Sequence, residues 1–342
     1  MNIFAKNRFI SKKSISKHGL TMAFFFISTV LLYGCNQQEN ETSDTGITQS
    51  SQDDFKPITI EHRLGSAVIA HRPQRVAALG MNDVDLLDVL GVSIAGMPKD
   101  FVPEYLSEYA NDPEIMDLGA IVQPNMERVY SLKPDLVLIS PLHASHYEQL
   151  SELAPTLYFD VNYKDSGSDH FDIVRDHLLT LGAIFGKETL ANSKAAELDA
   201  KVANAQTIIQ NRPEKAMIVI HNNGAYRFLG EKSRYGFVFE ALGVQSIHSP
   251  IEAGLHGQPI SSEFIYENNP DIIYVLDRTA VMERQSGLNR ENMENPLLRQ
   301  TNAWKNNRVI FVDSEAWYIV GAGVSALEII IDDVLKGYRN GE

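Results

Sequence analysis

The sequence predicts an α/β fold: two Rossmann-like lobes with parallel sheets, joined by one long backbone helix, with a cleft between the lobes. Three observations carry that prediction. Short apolar runs alternate with helical patterns over residues 75–139 and again over 216–335. The stretch from His170 to Asn211 holds no proline and reads as helix. One phrase also occurs twice: Met126–Ser140 is MERVYSLKPDLVLIS and Ser262–Arg278 is SEFIYENNPDIIYVLDR. In both copies a glutamate (Glu127, Glu263) stands seven positions before a Pro-Asp pair, and an apolar strand follows.

Taken in order, residues 57–69 (PITIEHRLGSAVI) alternate as a hairpin that turns at Leu64-Gly65. Arg75–Leu79 is a short buried strand. Asn82–Leu90 is a helix with Val84, Leu86, Leu87 and Leu90 on its apolar side, and Gly91 ends it. Val92–Ala95 is the next strand. Met126–Leu132 is a helix that stops at Pro134. Leu136–Ile139 is a continuous apolar strand of the kind covered on both faces. From His170 to Asn211 helical periodicity dominates, interrupted at Gly182 and Gly186. Within it Ala195, Leu198, Val202, Ala205 and Ile209 make one stripe of a helix over 190–210. The α/β texture then returns. Ala216–His221, Ile272–Leu276 and Val309–Val312 read as strands, and Ser233–Leu242, Ser261–Glu267 and Gly323–Leu335 as helices.

The first 34 residues stand apart. They carry Lys6, Arg8, Lys12, Lys13 and Lys17 and no acid, followed by the apolar run Leu20–Leu32 and then LLYGC. That is a secretory signal too short for a comfortable membrane-spanning helix. It leads to Cys35, whose thiol is expected to be lipidated and to become the mature N-terminus. Cys35 is the sole cysteine, so no disulfide forms within the chain. Residues 35–56 are polar and read as a flexible tether. The expected division is signal peptide 1–34, tether 35–56, first lobe 57–169, connecting helix 170–212 and second lobe 213–342. Without the signal, 25 basic residues face 44 acidic ones, and no basic patch is evident. Nucleic acid is therefore not an expected partner.

Function classes narrow further. GAGVSA (Gly321–Ala326) lies too near the chain end to open a dinucleotide-binding unit. No nucleophile–base pair stands out, so the chain reads as a non-enzyme. Ligands of open α/β sheets sit beyond the carboxyl ends of strands. That rule nominates Met81–Asn82, Met97–Phe101, His143 and Asn222–Arg227 as cleft residues.

From residue 57 onward the chain resembles the substrate-binding lipoproteins of bacterial iron–siderophore ABC importers, the class whose lobes a single backbone helix joins. The phrases that carry the resemblance are RPQRVAALGMNDVDLLDVLGV, ERVYSLKPDLVLIS, LHGQPISSEFIYENNPDIIYVLDRTAVM, NPLLRQTNAWKNNRVIFVD and SEAWYIVGAG. Within the class it is most similar to binders of ferric anguibactin and acinetobactin, which mix catechol, hydroxamate and imidazole groups. Binders of petrobactin and enterobactin type come next. The resemblance implies a monomer on the outer side of the cell membrane, held there by its lipid. Its cargo would be a ferric siderophore, with no intrinsic cofactor, and its partners the permease and its ATPase.

Residue roles follow from the same resemblance. Glu127 and Glu263 would dock on permease arginines. His256 and Tyr318 would complete the coordination of Fe³⁺, a hard ion suited to phenolate and imidazole donors. Arg234 and Arg278 would grip anionic siderophore oxygens. Asn222 and His143 would line the cleft. One departure is informative. Catecholate binders carry an arginine just after the strand that ends here in Ser140, and this chain has Leu142 there, beside His143. A missing positive charge implies a less anionic, mixed-ligand chelate. The alternatives are a purely catecholate siderophore, haem, cobalamin, bare metal (with His143 and His146 as a pair), or a structural lipoprotein with no small ligand.

Overall fold

The structure is a computed structural model that describes residues 55–162, 166–247, 257–285 and 287–339. The expected hairpin forms from β1 (Ile58–His62) and β2 (Gly65–Ile69), antiparallel, with Ile58 opposite Ile69. Alternation turns Ala67 and Ile69 inward. The hairpin is stapled to the first lobe where the His62 ring Nε2 donates to the Thr156 carbonyl, 3.1 Å away.

The first lobe comprises β3 (Val76–Ala78), α1 (Met81–Val89), β4 (Gly96–Met97), β5 (Met116–Asp117), α2 (Met126–Leu132), β6 (Leu136–Ile139) and β7 (Thr156–Tyr158). Its sheet runs β5-β4-β3-β6-β7, all parallel. All four residues of β6 are buried, as a doubly covered strand requires. The strand expected at Val92–Ala95 starts later, at Gly96. Gly91 and Val92 are consumed in closing α1, with the Val92 amide on the Leu87 carbonyl.

The connecting segment forms α3 (His170–Phe185) and the 22-residue α4 (Glu188–Ile209), packed as a hairpin. The two glycines noted in the sequence act differently. Gly186 has φ +64 and ends α3 in the left-handed region. Gly182 is a contact point, since a Cβ there would lie 2.5 Å from the Ala191 Cβ. The stripe Ala195, Leu198, Ala205 and Ile209 is buried.

The second lobe comprises β8 (Lys215–Asn222), β9 (Ala225–Leu229), α5 (Gly236–Glu240), β10 (Gln245–Ser246), β11 (Gln258–Ile260), α6 (Ser262–Asn268), β12 (Ile272–Asp277), α7 (Arg278–Glu283), β13 (Val309–Phe311) and α8 (Val324–Lys336). Its sheet runs β11-β9-β8-β12-β13, with β10 also on β8. Strands β8, β12 and β13 are parallel, but β9 pairs antiparallel with both β8 and β11, so this sheet is mixed. The cause is Asn223-Gly224, both at positive φ, which makes a two-residue hairpin turn after β8. The helix expected over Ser233–Leu242 is confined to Gly236–Glu240. Its first residues instead form a turn in which the buried Ser233 hydroxyl donates to the Gly230 carbonyl.

The repeated phrase is repeated structure. Asn125 and Ser261 cap the two helices by accepting from the Arg128 and Phe264 amides. Lys133 and Asn269 end them at φ 52 and φ 41. The aspartate of each Pro-Asp pair then holds the start of the neighbouring parallel strand. Asp135 accepts from the Gln74 and Arg75 amides, and Asp271 from the Lys215 amide.

The last helix returns to the first lobe, where α8 packs on α1 and α4. Buried Asp85 of α1 accepts from the Ser325 amide at 3.0 Å, the Ala326 amide at 3.1 Å and the Tyr105 hydroxyl at 2.8 Å. It thereby caps α8 across the lobe junction. Any Cβ at Gly323 would lie 2.3 Å from the Asp85 Cγ, so close an approach needs glycine there. Further crossings are the Glu104 amide on Glu315, 2.8 Å, and the Arg284 guanidinium over the Phe101 ring, 6.0 Å.

Candidate functional site

The carboxyl ends of β8, β12 and β13 converge in the second lobe, and each contributes one side chain. Asn222 ends β8. Arg278 follows β12 as the first residue of α7. Tyr318 sits in a π-helical turn, Ala316–Val320, after β13. Wide π turns recur at functional sites because they re-aim a side chain. The Arg278 guanidinium joins the three: Nε donates to the Tyr318 hydroxyl at 2.7 Å and Nη1 to Asn222 Oδ1 at 2.9 Å.

Arg278 is itself held from behind. Asp277 caps α7 by accepting from the Ala280 amide and binds His221 Nδ1 at 2.9 Å. Burial works to raise the Asp277 pKa. Hydrogen bonds from His221, Leu288 and Ala280 outweigh it and hold the carboxyl below its usual range. Arg234 approaches from the other side of Tyr318. It donates to the Tyr318 carbonyl at 3.1 Å and lies over the Tyr235 and Tyr318 rings at 5.3 and 5.1 Å. Trp317, fully buried next to Tyr318, ties the turn down by donating from Nε1 to Asp333 at 3.0 Å.

A cavity of about 360 Å³ opens here, lined by Ile220, Asn222, Arg227, Arg278 and Tyr318. That volume suits a small ligand. Its polar groups suit an anion: two guanidiniums, an amide and a phenol on half-buried side chains. A larger depression, about 440 Å³, lies at Gly91–Ile94 in the first lobe, lined by Glu108, Asp112 and Glu114. Its carboxylates would repel an anionic chelate, so the arginine-lined cavity is the better candidate despite its smaller volume.

The expected residues thus divide. Arg234, Arg278, Tyr318 and Asn222 come together. His143 does not join them: it is fully buried, with Nε2 donating to the Ile121 carbonyl at 2.8 Å and Nδ1 facing Ser140 at 3.3 Å. Burial also lowers its pKa, keeping the ring neutral. The structure gives it a bracing place between residues 121 and 140 rather than a cleft-facing one. Glu127 and Glu263 are exposed in the first turns of α2 and α6. Cys35 and His256 lie outside the described residues. Among the described residues, no three His, Cys, Asp or Glu side chains form a metal-holding group.

Arg227 was inside a nominated range but not singled out. It lies on β9 opposite Ile220 and donates to the Gly257 carbonyl at 2.7 Å. The signal that could have found it is the Asn-Gly turn, which fixes the register of that strand. The repeat also sets the lobes against each other. Aligning Glu127 with Glu263 and Pro134 with Pro270 puts Leu142, half exposed, at the place of Arg278.

A second contact links the connecting segment to the site. His170, the first residue of α3, is buried and its pKa is pushed down to about 4 by that burial. The neutral ring donates from Nε2 to the Gly321 carbonyl at 3.0 Å and accepts at Nδ1 from the Ser166 hydroxyl. Gly321 closes the turn that carries Tyr318.

Comparison with known proteins gives one consistent picture. A family model described as periplasmic binding protein matches residues 76–316. The ferric-anguibactin-binding protein FatB of Vibrio anguillarum is 55% identical over 321 residues, covering 94% of this chain and 98% of that protein. The petrobactin-binding protein YclQ of Bacillus subtilis is 31% identical over 316 residues, covering 91% and 96%. Among solved structures, the siderophore-binding protein BauB, bound to a complex of two acinetobactin molecules and ferric iron, superposes with a TM-score of 0.81. It is 55% identical, over 84% of this chain and 100% of that one.

Proposed function

The chain belongs to the periplasmic binding protein family, and we propose that it is the siderophore-binding component of an ABC iron importer. It captures a ferric chelate outside the cytoplasm and hands it to the permease. The two relatives at 55% identity carry names for binding proteins, not enzymes, one for ferric anguibactin and one for ferric acinetobactin. The observation that carries the reading is the Arg278–Tyr318–Asn222 cluster at the mouth of an arginine-lined cavity.

The cargo we propose is a mixed catechol–hydroxamate complex of the anguibactin kind. Arg278, Arg234 and Arg227 supply cation density to its oxygens. The Tyr318 hydroxyl accepts from Arg278 and keeps a second lone pair, which supports direct ligation of iron left short of six donors. His256, one residue before the Gly257 carbonyl that Arg227 holds, is the proposed imidazole ligand. Cys35 is the proposed lipid anchor, on a tether over 35–56, with Glu127 and Glu263 facing the permease and its ATPase beyond. A monomer is the proposed unit.

The deciding experiment titrates the folded body with ferric anguibactin-type, acinetobactin-type, bis-catecholate and tris-catecholate chelates, following tryptophan quenching and heat. We expect tight binding of a mixed-ligand chelate, weakened in both Tyr318→Phe and His256→Ala. Unchanged affinity in both variants would leave the transport role and remove the iron-ligation roles. No binding of any ferric chelate overturns the reading.

The apolar Leu142 leads to a specificity prediction. Leu142→Arg restores a guanidinium to the first lobe at the place equivalent to Arg278. We expect it to raise affinity for a tris-catecholate chelate by about tenfold, the worth of one charge-assisted hydrogen bond. Affinity for the mixed-ligand chelate should hold or fall. Competition binding between the two chelates measures the ratio, and an unchanged ratio would mean that residue 142 does not face cargo.

A further inference from the structure

The repeated phrase holds one more correspondence. One helical turn beyond Glu127 on α2 is Tyr130, and one turn beyond Glu263 on α6 is Tyr266. Residues three apart share a helix face. Both tyrosines belong to the short set of large hydrophobic side chains left outside among the described residues, at 47% and 40% exposure. The residue before each, Val129 and Ile265, is fully buried and fixes the rotation of its helix. With the same caps, the same left-handed ends and the same aspartate clamps, the Glu–Tyr pair has the same setting against its own sheet in both lobes.

The surrounding charges leave the pair available. Arg128, next to Glu127, is committed to Asp117 at 2.6 Å. Neither Glu127 nor Glu263 appears in an ion pair among the described residues. A lone exposed tyrosine needs no explanation. Two in matching places, each one turn from a glutamate with no ion pair among the described residues, form a duplicated epitope. An epitope present twice fits a partner that presents one pocket twice.

We propose that Tyr130 and Tyr266 are the apolar halves of that epitope, and that its occupant is the importer's permease. Each half-site of the permease would offer a basic group to the glutamate and an apolar slot to the tyrosine ring. The proposal rests on the reading that Glu127 and Glu263 face the permease. The division of labour follows from the chemistry. Exposed charge pairs steer and orient encounter but are screened by salt. A tyrosine ring is the kind of side chain that supplies binding energy at an interface core.

The test uses the cognate permease–ATPase complex in nanodiscs and the siderophore-loaded protein. Half-saturation of stimulated ATPase activity is measured from low to high salt for the wild type, Tyr130→Ala/Tyr266→Ala, Tyr130→Phe/Tyr266→Phe and Glu127→Gln/Glu263→Gln. Cargo affinity and Tm are checked in each. We expect the double alanine variant to weaken coupling at least tenfold at every salt concentration, with cargo binding and Tm unchanged and with the phenylalanine pair restoring it. The glutamine pair should lose most of its effect as salt rises.

Double-alanine coupling within twofold of wild type, with the glutamine pair impaired, overturns this inference and leaves the docking reading standing. If the glutamine pair is also unimpaired, the docking reading falls and this inference with it. A change in self-association by sedimentation in the alanine pair, with coupling intact, assigns the rings to a second copy of this chain and likewise overturns the proposal.

Discussion

Arg278→Ala is expected to cost this protein its cargo, with affinity for the ferric chelate falling by about 100-fold. The guanidinium donates to the Tyr318 hydroxyl and to Asn222 Oδ1 and lines the cavity between them. Its removal deletes a charged donor worth about 1.5–3 kcal/mol to an anionic acceptor. It also releases the two neighbours whose positions it sets. At 1.4 kcal/mol per decade that spans roughly one to two orders of magnitude. Arg278→Lys should recover little, because an ammonium cannot hold both Tyr318 and Asn222 as a planar fork does. Calorimetric titration reads the affinity. The Tm should barely move, since Asp277 caps α7 through its own carboxylate whatever side chain stands at 278. Wild-type affinity in Arg278→Ala would place the cargo elsewhere.

The second large effect is on stability and depends on pH. Asp85 caps α8 across the lobe junction and is fully buried. Burial raises its pKa from 3.8 to about 6, against the hydrogen bonds from Tyr105, Ser325 and Ala326, with the nearby Asp88 carboxylate adding a smaller push upward. The folded state therefore holds this proton more tightly than the unfolded chain does. Its contribution is fully present below pH 3.8 and is lost as pH rises to about 6, by on the order of 3 kcal/mol. Asp85→Ala strands two backbone amides and a phenol, a loss of about 3 kcal/mol where the carboxyl is protonated. We expect the variant to be strongly destabilised near pH 4 and close to wild type at pH 7.5. Buried Asp83, whose pKa is raised to about 7 by burial, titrates in both proteins and cancels in the difference. Denaturant unfolding at the two pH values checks this. A penalty that grows with pH would mean the carboxylate is held charged.

Most of the first lobe and the parallel core of the second were legible because their cause is local. The apolar runs at 136–139 and 272–276 are short and follow Pro-Asp stops, which favours buried strands, and the acid-led helices before them carry their own caps. The antiparallel strand β9 of the second sheet was missed because Asn222–Arg227 was read by its place after a strand, while the dipeptide Asn223-Gly224 dictates a hairpin. The same oversight hid Arg227.

The site was partly legible. Arg234, Arg278, Asn222 and Tyr318 lie at strand ends or in glycine-marked turns, where sequence position constrains them. His143 did not join them because its role is set by a partner far along the chain, the Ile121 carbonyl. The interlobe role of Asp85 is of the same kind: an acid in an apolar helix says nothing of the amides 240 residues away that it will meet.

The placement of the tryptophans has a spectroscopic consequence. The chain has two, Trp304 and Trp317, and both belong to the second lobe. Trp317 is sealed inside the turn that presents Tyr318, while Trp304 packs in a separate cluster under the Arg290 guanidinium, 4.3 Å from its ring centre. Ultraviolet excitation at the indole band therefore lights one lobe and leaves the other dark. A visible-absorbing ferric chelate in the arginine-lined cavity would drain the excited state of Trp317 first and that of Trp304 more weakly. The protein is in this sense a built-in optical ruler, and two resolved lifetimes would report how far the iron lies from the turn that holds it.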